Sequence, residues 1–421
     1  MIHTPFMGRG GGERQILRLA IELQKFGHEV EIFTSAVNEE KCYPDMLKNL
    51  TVNVVLHPLA GKIPPRLAPR FASTSASRKS LEEEVKKTSP LRVWVRKILK
   101  GQFYTLDLPS MLNLGRKIPK GFDIINNHNY PTEWAAFLAK KRLKVPVVWM
   151  CNEPPYWFFI PEFKREFRKI NWPLFEIFDK TVVNHIDEIV VLSHMTESLV
   201  RKIYKKSARV IRSGVDANLL HGVSGKNVRR KYGFENDFVL LQVGNIASFR
   251  RHVDSIKALY FLCKAYSNVK LILDGHGPRD ALTRFSEKLG VRDKVLFLHT
   301  TNDEELARVY AACDLFVFPS RCSWGLAVIE AMSASKPVIV SSKAGVSEII
   351  QTGVNGIVVD HAKPEDIAKH AELLINEPKL RKKLGENAYE YVKNDLSWEK
   401  YAKNMENVFQ EAISGFRGDG S

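Results

Sequence analysis

Paired cysteines are missing from this sequence. Its five cysteines, Cys42, Cys151, Cys263, Cys313 and Cys322, are scattered with no C-x-x-C among them. An odd, dispersed set fits thiols kept reduced in a cytosolic setting better than a disulfide framework or a zinc site. Long apolar runs are missing too: no stretch approaches the roughly 18 residues that a bilayer span requires. The opening MIHTPFMGRGGG has no charged start followed by an apolar core, so it does not read as a secretory signal. There is no internal repeat, no low-complexity tract, and no helix-turn-helix, zinc or RNA-recognition signature.

Negative charge is short in one half only. The formal net charge is +16, and residues 1–218 hold 35 Lys and Arg against 22 Asp and Glu. The remainder holds 28 against 25, whereas residues 62–120 alone hold 14 against 4. A charge concentrated this way points to an anionic partner: a membrane surface, a nucleic acid or a phosphorylated substrate. A plain solvated basic surface is the alternative.

What is present is strand and helix in alternation. The 421 residues, 44% of them hydrophobic, are enough for two or three globular domains. In the C-terminal half the runs DFVLLQVG, VKLILDG, KVLFLH, DLFVFPS, KPVIVSS and GIVVD read as buried parallel strands. Helical patterns fill the gaps: one runs to about Tyr266, one starts at Asp303, and a short one covers Val346–Ile350. The N-terminal half repeats the scheme with HEVEIFTS, TVNVVLHPL, FDIINNH, VPVVWMC, EIVVLS and RVIRSG. Strands alternating with helices predict an α/β fold of two Rossmann-like domains with parallel sheets, facing across a cleft. The expected boundaries are 1–218, 219–394, and a final amphipathic helix and tail over 395–421. Only Ile2–Thr4 stand before the first glycine turn, so either the true start lies upstream or the first strand is very short.

Four pieces carry candidate chemistry. GRGGGERQ sets Gly8, Gly10, Gly11 and Gly12 ahead of a helix, where bare backbone can approach a phosphate or sugar; a flexible loop explains it as well. GHGP, with Gly275 and Gly277, follows a strand and suits a nucleotide contact or an ordinary turn. VGNIASFRRH puts Asn245, Arg250 and Arg251 after a strand end, where a cation can neutralise a diphosphate leaving group; surface arginine is the plain alternative. SRCSWGLAVIEAM is the most specific. Its helix begins at Gly325, so the amides of Gly325, Leu326 and Ala327 are free to donate, and Glu330 follows one turn later among apolar neighbours.

Together these residues resemble the retaining glycosyltransferases of family four, which have the GT-B fold. The resemblance covers nearly the whole chain. It implies that a nucleotide-sugar donor binds the C-terminal domain and the acceptor the N-terminal one. The family's mark is two glutamates separated by seven residues; Glu330 matches the second, which holds the donor ribose. Cys322 stands in place of the first, which usually touches the sugar. The resemblance further assigns Gly10–Gly12 to the glycine loop near the diphosphate and Arg250 to the phosphate-binding lysine. Asn245 replaces a common arginine, Gly275 and Gly277 fit the loop at the donor base, and His128 fits the histidine near the reacting sugar. Gly345 supplies one glycine of a usual pair and Ala344 replaces the other. GGGERQILRLAIELQKFGHEVEIFTS, KCYPDM and VVWMCNEPP are similar to mannosyltransferases that extend lipid-linked oligosaccharides from GDP-mannose.

The implied reaction is hexosyl transfer with retention, with catalytic roles for His128, Arg250 and Glu330. Asp-x-Asp occurs nowhere, so no metal-bridged diphosphate and no cofactor beyond the donor are expected. A thiol at Cys322 is a poor substitute for a carboxylate hydrogen-bonded to a hydroxyl. The sugar is then held by backbone and Trp324, or the sugar differs, or activity is reduced.

The basic half has its own pattern. In LRVWVRKILK, Leu91, Trp94, Val95, Ile98 and Leu99 share one helical face, with Arg92, Arg96, Lys97 and Lys100 on others. PYWFFIPEFKREFRKINW interleaves aromatics with cations. Both suit an anionic bilayer surface or ordinary packing. The first reading gives a peripheral enzyme on the cytoplasmic membrane face, with a glycan or lipid-linked acceptor and no nucleic acid. The rivals are a non-catalytic glycosyltransferase-like subunit and, from charge alone, a nucleic-acid binder.

Overall fold

The computed structural model describes residues 1–2, 7–40, 42–55, 103–155 and 172–418. The basic stretch LRVWVRKILK and most of PYWFFIPEFKREFRKINW therefore lie outside the described residues. In the N-terminal half the strands are β1 (Glu31–Thr34), β2 (Thr51–Val54), β3 (Ile125–His128), β4 (Val147–Met150), β5 (Glu188–Val191) and β6 (Arg209–Val210). They fall inside the six runs expected from sequence. β1 pairs with β2, and a second sheet has the order β3-β4-β5-β6, with the registered pairs parallel.

Of the short first strand expected from sequence, the described residues include Ile2. Ile2 bridges Phe33 on one side and Asn127 on the other, both in parallel sense. Its amide donates to the Asn126 carbonyl at 2.9 Å, and its carbonyl accepts from the His128 amide at 2.9 Å. One buried residue thereby stitches β1 to β3. The helix Gly11–Lys25 packs Ile16, Leu17 and Ala20 against Met7 and Ile32.

The C-terminal half follows with β7 (Phe238–Val243), β8 (Val269–Asp274), β9 (Val295–Leu298), β10 (Leu315–Phe318), β11 (Val338–Ser341) and β12 (Ile357–Val359). Their order is β12-β11-β10-β7-β8-β9, and the registered pairs are parallel. Counted within this sheet, that is the doubly wound order 3-2-1-4-5-6, which reverses direction between β7 and β10. Sheets covered by helices on both faces need strands apolar on both sides, and β10 (LFVF) and β11 (VIVS) are buried throughout. Leu240, Leu271, Val317 and Ile339 meet Ile256, Leu259, Ile367 and Leu374 from the covering helices.

Helix limits follow local chemistry. Asn302 caps the helix Asp303–Ala312 by accepting from the Glu305 amide at 2.7 Å, and three acids fill its first turn. Proline stands at the start of Pro364–Asn376 and Pro378–Asp395. Two expectations shift. The helix after β7 ends at Leu262 rather than Tyr266, and Gly345–Ile349 forms a 3-10 turn. By packing, residues 1–189, 203–206 and 408–421 make one unit, and 190–202 with 207–407 make another.

Candidate functional site

In a doubly wound sheet, ligands sit beyond the strand C-termini where the order reverses. Here those are the ends of β7 and β10. Chain leaving β7 passes Gly244 at φ +149° and a 3-10 turn, Ser248–Arg250, before the helix His252–Leu262. Chain leaving β10 passes Cys322 and Gly325 before the helix Leu326–Ser333. The sheet thus brings the arginine segment and the Cys322–Glu330 segment to one edge.

Arg250 is the cation of that edge. Its Nη1 lies 3.9 Å from Cys322 Sγ, its guanidinium stands 5.1 Å from the Phe249 ring and 5.6 Å from Phe318, and its Nε is buried without a hydrogen-bond partner. No ion pair involves it among the described residues. Arg251 behaves differently. At φ +53° it turns back and pairs with buried Asp254 through both Nε and Nη2. Among the described residues, therefore, only the first of the two arginines keeps its guanidinium out of an ion pair. Asn245 is exposed just past the end of β7.

Cys322 is half-buried. Its thiol donates to the Trp324 carbonyl at 2.6 Å, its amide donates to Lys343 O, and its carbonyl accepts from the Gly345 amide at 2.9 Å. Gly345 is obligatory there, because a Cβ would stand 1.8 Å from the Ser323 carbonyl. Trp324 is 4% exposed, and its Nε1 has no partner. The amides of Val328 and Ile329 return to the Gly325 carbonyl, so those of Leu326 and Ala327 precede the helix's own ladder. Gly325 itself is packed closely, with a Cβ 2.9 Å from Val346.

Glu330 is buried, at 7% exposure, and one oxygen accepts from Tyr310 Oη at 2.7 Å. Tyr310 comes from the helix before β10. A buried carboxylate anchored on one side is an acceptor of fixed direction. The β8 loop closes the edge next to β7. A Cβ on Gly275 would meet the Gly244 carbonyl at 2.0 Å, and Gly277, at φ +140°, lies against Ile246. Both glycines are there for close backbone approach.

Sequence reading missed the groups that hold this edge. Buried Gln242, on β7, donates to the Arg250 carbonyl at 2.8 Å and accepts from Ser255 Oγ at 2.7 Å. His252, 3% exposed, has its pKa pushed down to about 4 by burial, with the Arg250 charge lowering it further against a hydrogen bond to the Gly244 backbone. Gln242 was visible as the one polar residue in an apolar strand; His252 gave no signal.

The expected residues of the N-terminal half form their own group. A Cβ on Gly12 would touch the Asn129 amide at 2.9 Å, so the glycine loop packs on the segment after β3. The Gly10 carbonyl accepts from Tyr43 Oη at 3.1 Å, and Gly11 opens the helix. His128 is fully enclosed, with Nε2 2.7 Å from Asn126 Oδ1. It meets a ligand only if that enclosure opens. Deeper lie two carboxyls the sequence did not announce. Asp179 accepts from Trp134 Nε1 at 2.9 Å and Tyr204 Oη at 2.8 Å, while no donor reaches the oxygens of Glu133. Burial, then the Asp179 charge, raises Glu133 well above the usual carboxylate range. Burial likewise pushes Asp179 up to about 6. Among the described residues no group of His, Cys, Asp and Glu is arranged to hold a metal ion, and no helix is long and apolar enough to cross a membrane.

Comparison with known proteins agrees with this architecture. Residues 225–391 match the family Glycosyl transferases group 1, and residues 9–219 match Glycosyltransferase Family 4. An uncharacterized glycosyltransferase of Methanocaldococcus jannaschii is 35% identical over 190 residues, 44% of this chain and 48% of its own length. The match thus spans about half of that relative. A D-inositol 3-phosphate glycosyltransferase of Corynebacterium glutamicum is 24% identical over 440 residues, covering 100% of this chain and 96% of the relative. The Anabaena protein HepE, solved in complex with UDP and glucose, has the same fold at a TM-score of 0.71 and 16% identity, covering 97% of this chain and 98% of its own. The chain belongs to the family-four glycosyltransferases, with the GT-B fold.

Proposed function

We propose that this glycosyltransferase moves a hexose from a nucleoside diphosphate sugar to a glycan or lipid-linked acceptor, with retention and without a metal ion. The observation that carries the reading is the Arg250 guanidinium, in no ion pair among the described residues, at the reversal point of the sheet, on the edge that also bears the helix start at Leu326. Arg250 and the Leu326 and Ala327 amides would hold the charge that develops on the departing diphosphate. Glu330, fixed by Tyr310, would accept from the ribose hydroxyls. The acceptor hydroxyl's oxygen forms the new bond to the anomeric carbon on the face the phosphate leaves. Its proton passes to the departing phosphate oxygen.

GDP-mannose is the donor suggested by the N-terminal resemblance; UDP-glucose is the one found with HepE. We take GDP-mannose as first choice. The basic stretches at 91–100 and 155–172 support, from sequence alone, docking at the anionic cytoplasmic face of a membrane. Purified protein would be given labelled GDP-mannose, UDP-glucose and UDP-N-acetylglucosamine in turn, with lipid extract and with EDTA. Label entering the organic phase from one donor despite EDTA, and lost in Glu330→Ala, supports the proposal. The anomeric configuration of the product, read by NMR, tests retention. Nucleotide binding without turnover from any donor would favour a non-catalytic subunit, a reading that Cys322 at the sugar-facing position makes concrete.

A further inference from the structure

β7 reads FVLLQV, and its one polar side chain, Gln242, is completely buried. A buried amide is unfavourable unless its hydrogen bonds are made, and an apolar residue of the same volume would fill a strand core at lower cost. Both ends of Gln242 are engaged. Nε2 donates to the Arg250 main-chain carbonyl, and Oε1 accepts from Ser255 Oγ, itself fully buried on the following helix. Ser320 Oγ, just past β10, approaches the same carbonyl at 3.4 Å. Arg250 sits in a three-residue 3-10 turn, followed at once by a left-handed residue, Arg251. So short a turn has little stability of its own. The chain from Ser255 through Gln242 to the Arg250 carbonyl ties it to β7, and Ser320 ties it to the end of β10.

We infer that Gln242, supported by Ser255, is a positioning residue that aims Arg250 at the diphosphate of the donor. The inference rests on the role given to Arg250 under the proposed function. Gln242 touches no ligand; it fixes the backbone from which the guanidinium projects, and so keeps five donors preorganised rather than dispersed.

The test is a double-mutant cycle on the full chain, read by calorimetric titration with UDP and GDP and with the phosphate-free nucleosides uridine and guanosine. Gln242→Met keeps the volume and removes both hydrogen bonds. It is expected to weaken the bound diphosphate about tenfold while leaving nucleoside affinity unchanged. In an Arg250→Ala background the same substitution should have no further effect, because nothing remains to be aimed. Ser255→Ala, a smaller change, should show the same pattern at reduced size and replaces Gln242→Met if that variant does not fold. Equal losses with and without Arg250, or parallel losses for nucleoside and diphosphate, overturn the inference and leave Gln242 a packing residue. If Arg250→Ala weakens binding and neither Gln242→Met nor Ser255→Ala does, the inference alone fails. If Arg250→Ala leaves diphosphate affinity unchanged, the reading of Arg250 fails with it.

Discussion

Glu133 gives a prediction whose sign and size follow from its surroundings. Its carboxyl is fully buried, no donor reaches it, and the neighbouring Asp179 already receives Trp134 and Tyr204. Burial and the charge on Asp179 both disfavour ionised Glu133, so its carboxyl titrates well above the usual carboxylate range and can donate its proton toward Asp179. In the unfolded chain the same group ionises in the ordinary carboxylate range. The folded state therefore binds one proton more, and stability falls as pH rises, by about 1.4 kcal/mol per pH unit while that difference lasts. Glu133→Gln puts a permanent N–H donor in the same place and removes the titration. Urea unfolding of the full chain, followed through the fluorescence of buried Trp134 and Trp149, should show a fall with pH that is steep in the wild type and reduced by that amount in the variant. Equal pH slopes for the two proteins would mean Glu133 is ionised in the fold, and the reasoning would be wrong.

Three further outcomes follow from the second unit. His252 has a folded pKa near 4, below its unfolded value of 6.5, so it costs stability as pH falls through that window, by about 3 kcal/mol in all. His252→Gln should flatten the acid limb of the stability profile, and an unchanged limb counts against burial as the cause. Tyr310→Phe removes a donor to buried Glu330 and should cost about 1.5–3 kcal/mol in stability together with a raised donor KM; loss of neither would show that the bond is idle. Cys322→Glu places a carboxylate beside Arg250 and is expected to raise kcat/KM for a nucleotide-hexose donor by about tenfold through a new contact to a sugar hydroxyl. A fall in donor affinity would instead show the new carboxylate capturing Arg250.

Strands were the most legible part of the fold, because buried parallel strands must be continuously apolar. FVLLQV, LFVF and VIVS could be little else. The helix carrying Glu330 was equally plain, since one acid amid Val328, Ile329, Ala331 and Met332 stands out. Strand order was not legible. It depends on crossovers, and nothing within β10 announces that Leu315 will lie beside Leu240. For the same reason the partner of Glu330 could not be read: Tyr310 arrives from a separate helix. Arg250 and Arg251 looked interchangeable as a sequence pair. Only the positive φ of Arg251 and the approach of Asp254 separate a committed arginine from an available one. The Glu133–Asp179 pair left no trace, because it comes from two helices linked by no periodicity.

The central pairing of the second sheet also bears on how the site comes into being during folding. β7 and β8 are joined by one helix and find each other early, whereas β10 must return across two further strands and helices to reach β7. Closure of so long a loop pays its entropy before any contact rewards it. The edge holding Arg250, Cys322 and Glu330 therefore cannot exist until this late pairing is complete. A donor nucleotide bound there would act as a clasp on the last-formed seam of the sheet. Amide exchange along Leu240–Leu241 and Leu315–Phe316 should slow on nucleotide addition more than exchange between β8 and β9.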